Sequence, residues 1–168
     1  MPHPSPPPSP PPPAPLRLAL YEPDIAANTG AILRLAACLG VGADVIEPCG
    51  FVWSEPKLRR AGMDYLDRVD LVRHQSWARF AESAAPRRLV LLSTKAAEAL
   101  PRFAFRPGDT LLLGRESAGV PDAVRDACPA SVRVPMRAGE RSLNVALAAA
   151  LVLGEALRQL DAYPKETP

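Results

Sequence analysis

The chain alternates between two patterns of apolar and polar positions. Short, continuous apolar runs bounded by Gly, Pro or charged residues predict buried strands. Six such runs lie at residues 16–21, 43–47, 70–73, 89–93, 110–114 and 131–134. Apolar residues recur at helical spacing in four intervening segments, at residues 31–39, 55–62, 75–83 and 143–160. Strands interleaved with helices predict an α/β fold, with a mostly parallel sheet flanked by helices on both faces.

The first fifteen of the 168 residues do not share this pattern, because ten of them are proline. We predict a disordered Pro-rich tail at residues 1–15, one domain at 16–162 and a short C-terminal tail at 163–168. The longest apolar stretch, residues 145–153, is too short to cross a membrane. Three cysteines without a CxxC pair and only two histidines argue against a disulfide framework or a metal site, so we expect a soluble cytoplasmic protein.

Two polar clusters stand at predicted helix starts. Asn28-Thr29-Gly30 forms a polar loop before the first helix, where Asn28 is a candidate cap and Arg34 lies about one turn further along. Residues 141–144 (RSLN) directly precede the last helix, and either Ser142 or Asn144 is suited to cap it. A helix this apolar is expected to be buried, so its free N-terminal amides would point into the protein or a cleft and suit a polar ligand.

A third polar cluster, Gly114-Arg115-Glu116-Ser117-Ala118-Gly119, follows the buried run LLL. Open α/β sheets bind ligands beyond the carboxyl ends of their strands, and glycines let the backbone approach a ligand closely. Glu116 is therefore either a site residue or part of a solvated loop. The phosphate-binding patterns GxxxxGK[ST] and GxGxxG are absent from the sequence, which disfavours a conventional dinucleotide site.

In this order and spacing, the clusters resemble the three motifs of the SpoU branch of the SPOUT RNA methyltransferases. The likeness is closest to the tRNA (cytidine/uridine-34)-2′-O-methyltransferase family and covers about residues 16–160. Besides LLLGRESAGVP, it is carried by the blocks LYEPDI with NTG (20–30), IEPCGF (46–51), LRRAGMDY (58–65) and VPMRAGERSLNV (134–145). One departure is Arg115, because members of that family often have Pro between this glycine and glutamate.

The resemblance implies a C-terminal deep trefoil knot, S-adenosylmethionine as cofactor, a homodimer, and tRNA as partner through its anticodon stem-loop. No metal and no membrane are expected. Carried over by position, the cofactor-binding residues would be Leu92, Gly114, Gly119, Val134, Met136, Ser142 and Leu143. The catalytic set would be Asn28, Arg34, Glu116, Ser142 and Asn144, with Arg34 brought to the reacting ribose across the dimer interface.

The implied reaction moves a methyl group from a sulfonium to the ribose 2′-hydroxyl of the wobble nucleotide. Arg34 would serve as a hydrogen-bond donor, because a guanidinium is always protonated, and either Glu116 or solvent would accept the proton. The cations expected to contact RNA are Lys57, Arg59, Arg60, Arg137 and Arg141. The alternatives are methylation of another tRNA position or of ribosomal RNA, and a noncatalytic knotted RNA-binding module.

Overall fold

The computed structural model describes residues 16–60 and 64–166. The predicted tail at residues 1–15 lies outside the described residues. The strands are β1 (Arg17–Tyr21), β2 (Gly42–Ile46), β3 (Leu71–His74), β4 (Leu89–Leu92), β5 (Thr110–Leu113) and β6 (Ala130–Val132). The α-helices are α1 (Ala26–Leu39), α2 (Glu55–Arg60), α3 (Trp77–Ala84), α4 (Asp122–Asp126) and α5 (Val145–Gln159), and short 3-10 helices span Asp64–Asp67 and Leu100–Arg102.

The six strands form one sheet in the order β3-β2-β1-β5-β4-β6, and every neighbouring pair is parallel. The prediction of a parallel sheet flanked by helices is confirmed. β1 pairs with β5, from Arg17 beside Thr110 to Leu20 beside Leu113. Because all strands run the same way, their carboxyl ends share one edge, and the loops after them lie together.

Alternation along the strands divides the apolar core between the two faces of the sheet. Leu18 and Leu20 of β1 pack in the cluster that includes residues of α1 and α5. Ala19 and Tyr21 pack in a second cluster, with Phe80 of α3. Successive side chains of a strand point to opposite faces, so β1 contributes to both clusters. A run that is apolar at every position is therefore what a sheet covered on both faces requires.

The start of α1 differs from the prediction. The helix begins at Ala26, five residues earlier than expected, and its N-cap Ile25 makes no side-chain capping hydrogen bond. The prediction that Asn28-Thr29-Gly30 is a loop and that Asn28 caps the helix is therefore wrong. Asn28 lies in the first helical turn, where its side chain bonds to groups far away in sequence. The helix ends at Gly40, in the left-handed conformation, as the pattern predicts.

The other boundaries agree with the sequence pattern to within two residues, and two details differ. Part of the basic helix predicted at residues 55–62 falls at residues 61–62, which lie outside the described residues, and α2 is described as far as Arg60. The helix α4 was expected only as a new element beginning at Val120-Pro121. In the described ranges, no helix is long and apolar enough to cross a membrane.

The expectation that α5 is buried is half right. Val152 and Leu153 are fully buried, yet Leu147 is 61% exposed and Leu151 is 51% exposed. Helices buried on all sides are apolar on all sides, but the converse fails here because one apolar stripe of α5 has no partner within the chain. Asn144 is the cap of this helix, since its side-chain oxygen accepts hydrogen bonds from the amides of Ala146 and Leu147.

A buried polar network that the sequence pattern did not reveal joins β1, β2 and β3. Asp44 is 1% exposed, and its carboxylate accepts a hydrogen bond from Arg17 Nε at 2.7 Å. Its other oxygen lies 2.8 Å from His74 Nε2. Arg17 also pairs with the exposed Asp70. A buried carboxylate is tolerated only when paired and hydrogen-bonded, and these partners satisfy both of its oxygens.

Candidate functional site

A cavity of about 590 Å³ opens at the carboxyl edge of the sheet, beyond the last residues of β4, β5 and β6. This is the position at which parallel sheets bind ligands, and its volume lies within the usual range for small-molecule sites. The three polar clusters of the sequence converge on it. The predicted site residues that line it are Asn28, Leu92, Gly114, Glu116, Gly119, Val134, Met136, Ser142, Leu143 and Asn144.

One wall of the cavity is the loop Gly114–Gly119, which closes on itself. The amide of Arg115 donates to the carbonyl of Gly119 at 2.9 Å, and the amide of Gly119 donates back at 2.9 Å. A Cβ on Gly114 would lie 2.8 Å from backbone atoms of Gly119. Gly119 itself has φ +64°, which L side chains rarely adopt. The two glycines are thus required for the shape of this wall.

A chain of hydrogen bonds connects this loop to both helices that reach the cavity. Glu116 accepts a bond from the backbone amide of Asp24 at 2.8 Å and a longer one from the Asn28 amide group at 3.4 Å. The carbonyl oxygen of Asn28 accepts from the Asn144 amide group at 2.9 Å. Asn144 in turn caps α5. The expected catalytic residues Asn28, Glu116 and Asn144 are therefore one bonded unit.

Arg115 holds the same loop against the acidic turn that follows β1. Its guanidinium lies 3.1 Å from a carboxylate oxygen of Glu22 and 3.6 Å from one of Asp24. Asp24 also accepts hydrogen bonds from the hydroxyl and the amide of Ser117, and these bonds lower the pKa of its carboxyl below the usual value. Where the related family often has a rigid proline, this chain holds the loop with ion pairs. The sequence gave no signal for them, because the partners are about 90 residues apart.

Arg34 is the one predicted catalytic residue that does not line the cavity. Its guanidinium lies over the ring of Tyr65, 4.9 Å from the centroid. Six residues separate it from Asn28 on α1, which is about 9 Å along the helix axis and about 240° around it. A single chain therefore presents Asn28 to the cavity and directs Arg34 elsewhere.

The cations predicted to contact RNA are all exposed. Arg137 and Arg141 flank the cavity in sequence, directly after Met136 and before Ser142. Lys57, Arg59 and Arg60 lie on α2, but Arg59 is engaged by both oxygens of Asp67, at 2.8 and 2.6 Å. Its charge is thus already balanced, whereas the structure gives Lys57 no ion pair among the described residues.

Five residues of the cavity wall were absent from the prediction. They are Ser93, Thr94, Lys95, Arg125 and Arg133. The first three directly follow β4, so the rule that ligands bind at strand ends was sufficient to find them. Among the described residues, no three His, Cys, Asp or Glu side chains gather in a way that would hold a metal ion.

Comparison with known proteins identifies the family. Residues 15–154 match the SpoU rRNA methylase family. The chain belongs to this family. One relative within reach is the tRNA (cytidine(34)-2′-O)-methyltransferase of Beijerinckia indica subsp. indica, which is 59% identical over 150 residues, or 88% of this chain and 94% of the relative. The SpoU assignment that the motifs suggested is confirmed.

Solved structures support the same assignment for this SpoU-family chain. A structure described as giving insights into the 2-OH methylation of C/U34 on tRNA has a TM-score of 0.81 at 42% identity, over 87% of this chain and 96% of that one. The SpoU methyltransferase AviRb from Streptomyces viridochromogenes, solved in complex with the cofactor AdoMet, has a TM-score of 0.73 at 31% identity, over 86% and 60%. The fold is thus the SPOUT α/β knot, as expected.

The cavity of this SpoU chain fits S-adenosylmethionine chemically. Leu92, Val134 and Leu143 give it apolar walls for an adenine ring, whereas Ser142 and the backbone of the loop offer polar groups. The close approach of Gly114 to Gly119 leaves the loop backbone bare of side chains at the wall. Few and localised polar groups on an apolar lining are typical of cofactor sites.

Proposed function

We propose that this protein transfers a methyl group from S-adenosylmethionine to the ribose 2′-hydroxyl of the wobble nucleotide, cytidine or uridine at position 34, of tRNA. The observation that carries the proposal is the bonded unit of Glu116, Asn28 and Asn144 at the edge of a cofactor-sized cavity. The relative with 59% identity, whose name gives cytidine 34 of tRNA as its substrate, supports the choice of nucleotide.

When bound, S-adenosylmethionine supplies a methyl group activated by the positive sulfur. The residues that would hold it are Leu92, Gly114, Val134, Ser142 and Leu143, all of which line the cavity. The apolar members exclude water, and the loop backbone orients the cofactor through its amides and carbonyls. Positioning of this kind accounts for a large share of the rate in a transfer between two bound reactants.

During the transfer, the bond between the 2′-oxygen and the methyl carbon forms as the carbon–sulfur bond breaks, and the hydroxyl proton leaves. Arg34 donates hydrogen bonds to the 2′-oxygen or the adjacent phosphate, since its guanidinium stays protonated. Two acceptors are open for the proton, the Glu116 carboxylate and solvent. Glu116 is held in one orientation by its bonds to Asp24 and Asn28, so it also positions the loop.

The distance of Arg34 from the cavity supports a homodimer in which the partner subunit supplies this residue. Leu143, Leu147 and Leu151 recur every four residues and form an exposed apolar stripe, and Leu143 also lines the cavity. Exposed patches of this kind mark interfaces. A second copy of the chain seated on the stripe would lie at the mouth of the cavity, where an arginine from that copy is needed.

Subunit complementation tests the dimer. The variant Arg34→Ala lacks the donated arginine, and Ser142→Trp fills the cavity with an indole, so each should be inactive alone. Mixed and refolded together, they should regain activity, because half of the sites in a mixed dimer combine an open cavity with an intact arginine. Sedimentation of Leu147→Glu should show a monomer. A monomeric wild-type protein, or a mixture that stays inactive, contradicts the dimer.

Mass spectrometry of tRNA nucleosides tests the activity itself. We expect purified protein and S-adenosylmethionine to yield 2′-O-methylcytidine or a 2′-O-methyluridine at position 34 of an unmodified tRNA. Arg34→Lys should retain little of this activity, since the planar fork of donors is lost. Methylation at another tRNA position or only on ribosomal RNA would contradict the choice of nucleotide. Binding without transfer would favour the noncatalytic module.

A further inference from the structure

The wall of the cavity carries more positive charge than its proposed cofactor chemistry uses. Its charged residues are Lys95, Arg115, Glu116, Arg125 and Arg133. Four cations therefore face one carboxylate. S-adenosylmethionine brings a sulfonium and an ammonium of its own, so further cations around it are unfavourable unless an anion lies among them.

Two of the four cations are balanced by neighbouring carboxylates. Arg115 pairs with Glu22 and Asp24, and Arg125 pairs with Asp122 at 2.6 Å. The ion pairs formed within 4.0 Å in the described part of the chain include neither Lys95 nor Arg133. The unbalanced charge thus lies at the β4 and β6 side of the cavity.

The sheet places these two cations side by side. Leu92 of β4 pairs with Val132 of β6, and Lys95 and Arg133 follow just beyond this pair. The backbone of Arg133 is fixed by a bond from its amide to Glu98 at 3.0 Å and a bond to its carbonyl from Leu100 at 2.8 Å. These backbone bonds hold the residue in place whatever its side chain does.

Two hydroxyl groups complete the group of donors. Ser93 and Thr94 line the same side of the cavity. The Ser93 hydroxyl oxygen accepts a bond from the amide of Lys95 at 3.2 Å, which leaves its proton free to be donated. Two cations and two hydroxyls at adjacent strand ends match the requirements of an oxyanion.

We propose that Lys95 and Arg133, with Ser93 and Thr94, form an oxyanion subsite beside the methyl-donor pocket. The ligand is either a phosphodiester of the RNA next to the target nucleotide or the carboxylate of the cofactor's methionine part. The subsite rests on the proposed function, since both ligands belong to the proposed reaction. It holds the reactants in place and takes no part in the bond changes.

Calorimetric titration of three variants tests the carboxylate as ligand. Lys95→Met and Arg133→Met remove one charge each, and Arg106→Met is the matched control, because Arg106 is exposed and precedes β5 at the opposite edge of the sheet. The probes are S-adenosylhomocysteine and 5′-methylthioadenosine, which lacks the amino acid part. If the carboxylate is the ligand, the first two variants bind S-adenosylhomocysteine about fivefold more weakly and methylthioadenosine unchanged.

Binding of an unmodified tRNA by the same variants tests the phosphodiester. In this case affinity for RNA falls about fivefold, and the slope of log Kd against log salt shrinks by about 0.7 per lost contact, as for a single strand. Arg133→Lys and Lys95→Arg should restore most of either loss. Circular dichroism checks that the fold is kept, and Arg133→Gln replaces any variant that unfolds.

The proposal is overturned if both Met variants bind both cofactor analogues and the tRNA as the Arg106→Met control does. Failure of the proposed function has a different signature. In that case the wild-type protein does not methylate tRNA, whereas the two cofactor analogues still report on the carboxylate arm, independent of RNA.

Discussion

Replacing Gly114 with alanine should weaken cofactor binding far more than it weakens the fold. The added Cβ would stand 2.8 Å from the Cα and carbonyl carbon of Gly119, and ordinary contact begins near 3.4 Å. The loop must therefore open by about 0.6 Å, against the two 2.9 Å hydrogen bonds that join Arg115 and Gly119. The neighbouring atoms are backbone, so no side chain can turn aside to make room.

The size of the effect follows from the cost of overpacking. Forcing a methyl group into a filled space costs about 1–3 kcal/mol. In the free protein the loop relaxes outward, because Gly119 is exposed, and little stability is lost. Binding must restore the closed loop, so the cost falls on the cofactor complex. We expect affinity for S-adenosylmethionine to drop roughly 5- to 150-fold.

The assay is calorimetric titration with S-adenosylmethionine, paired with thermal unfolding. Gly108→Ala is the control, since Gly108 has φ +84° and an added Cβ would meet nothing within 4 Å. It should lower the melting temperature through backbone strain of about 1–2 kcal/mol and leave affinity unchanged. If Gly114→Ala binds the cofactor within twofold of the wild type, the loop is not the wall of the cofactor site and the reasoning fails.

Three further predictions concern the contacts around the site and the core. Asn144→Ala removes the cap of α5 and should cost about 1 kcal/mol, seen as a melting temperature about 2–4 °C lower, whereas Asn144→Asp keeps the cap. Asp44→Ala leaves Arg17 buried without its partner and should cost about 3–5 kcal/mol in denaturant unfolding; a loss under 1 kcal/mol would show that the network is dispensable. Ser117→Ala should raise the pKa of Asp24 toward its ordinary value of 3.8 in an NMR titration. Because the folded pKa is the lower one, this stabilisation is present above the ordinary value and is lost as pH falls through the folded pKa, so the variant and the wild type should converge in stability at strongly acidic pH.

Local patterns were sufficient for the elements of the fold, and failed where a long-range contact replaced a local one. The start of α1 was misplaced because Asn28 and Thr29 have the composition of a capping segment, yet Ile25 precedes the helix without a side-chain cap. Asn28 is drawn into the helix, and its side chain is used by Glu116 and Asn144. Propensity describes only neighbours in sequence, so it cannot anticipate such an exchange.

The site was predictable to the extent that strand ends share one edge of a parallel sheet. That rule and the family motifs together brought ten predicted residues to one cavity. The ion pairs of Arg115 lay outside their reach, since Glu22 and Asp24 precede it by about 90 residues. The position of Arg34 shows a different limit. A motif identifies a residue that the reaction needs, but not which subunit supplies it.

The bonded unit of Glu116, Asn28 and Asn144 also has a consequence for the birth of the protein at the ribosome. Its members are separated by 88 and 116 residues, so it assembles only after nearly the whole chain has been synthesised. Contacts of such sequence separation form late, because loop closure must precede them. A nascent chain lacking α5 would have most of its strands but no competent site. Cofactor binding should therefore report on completed folding, and release from the ribosome should precede the first turnover.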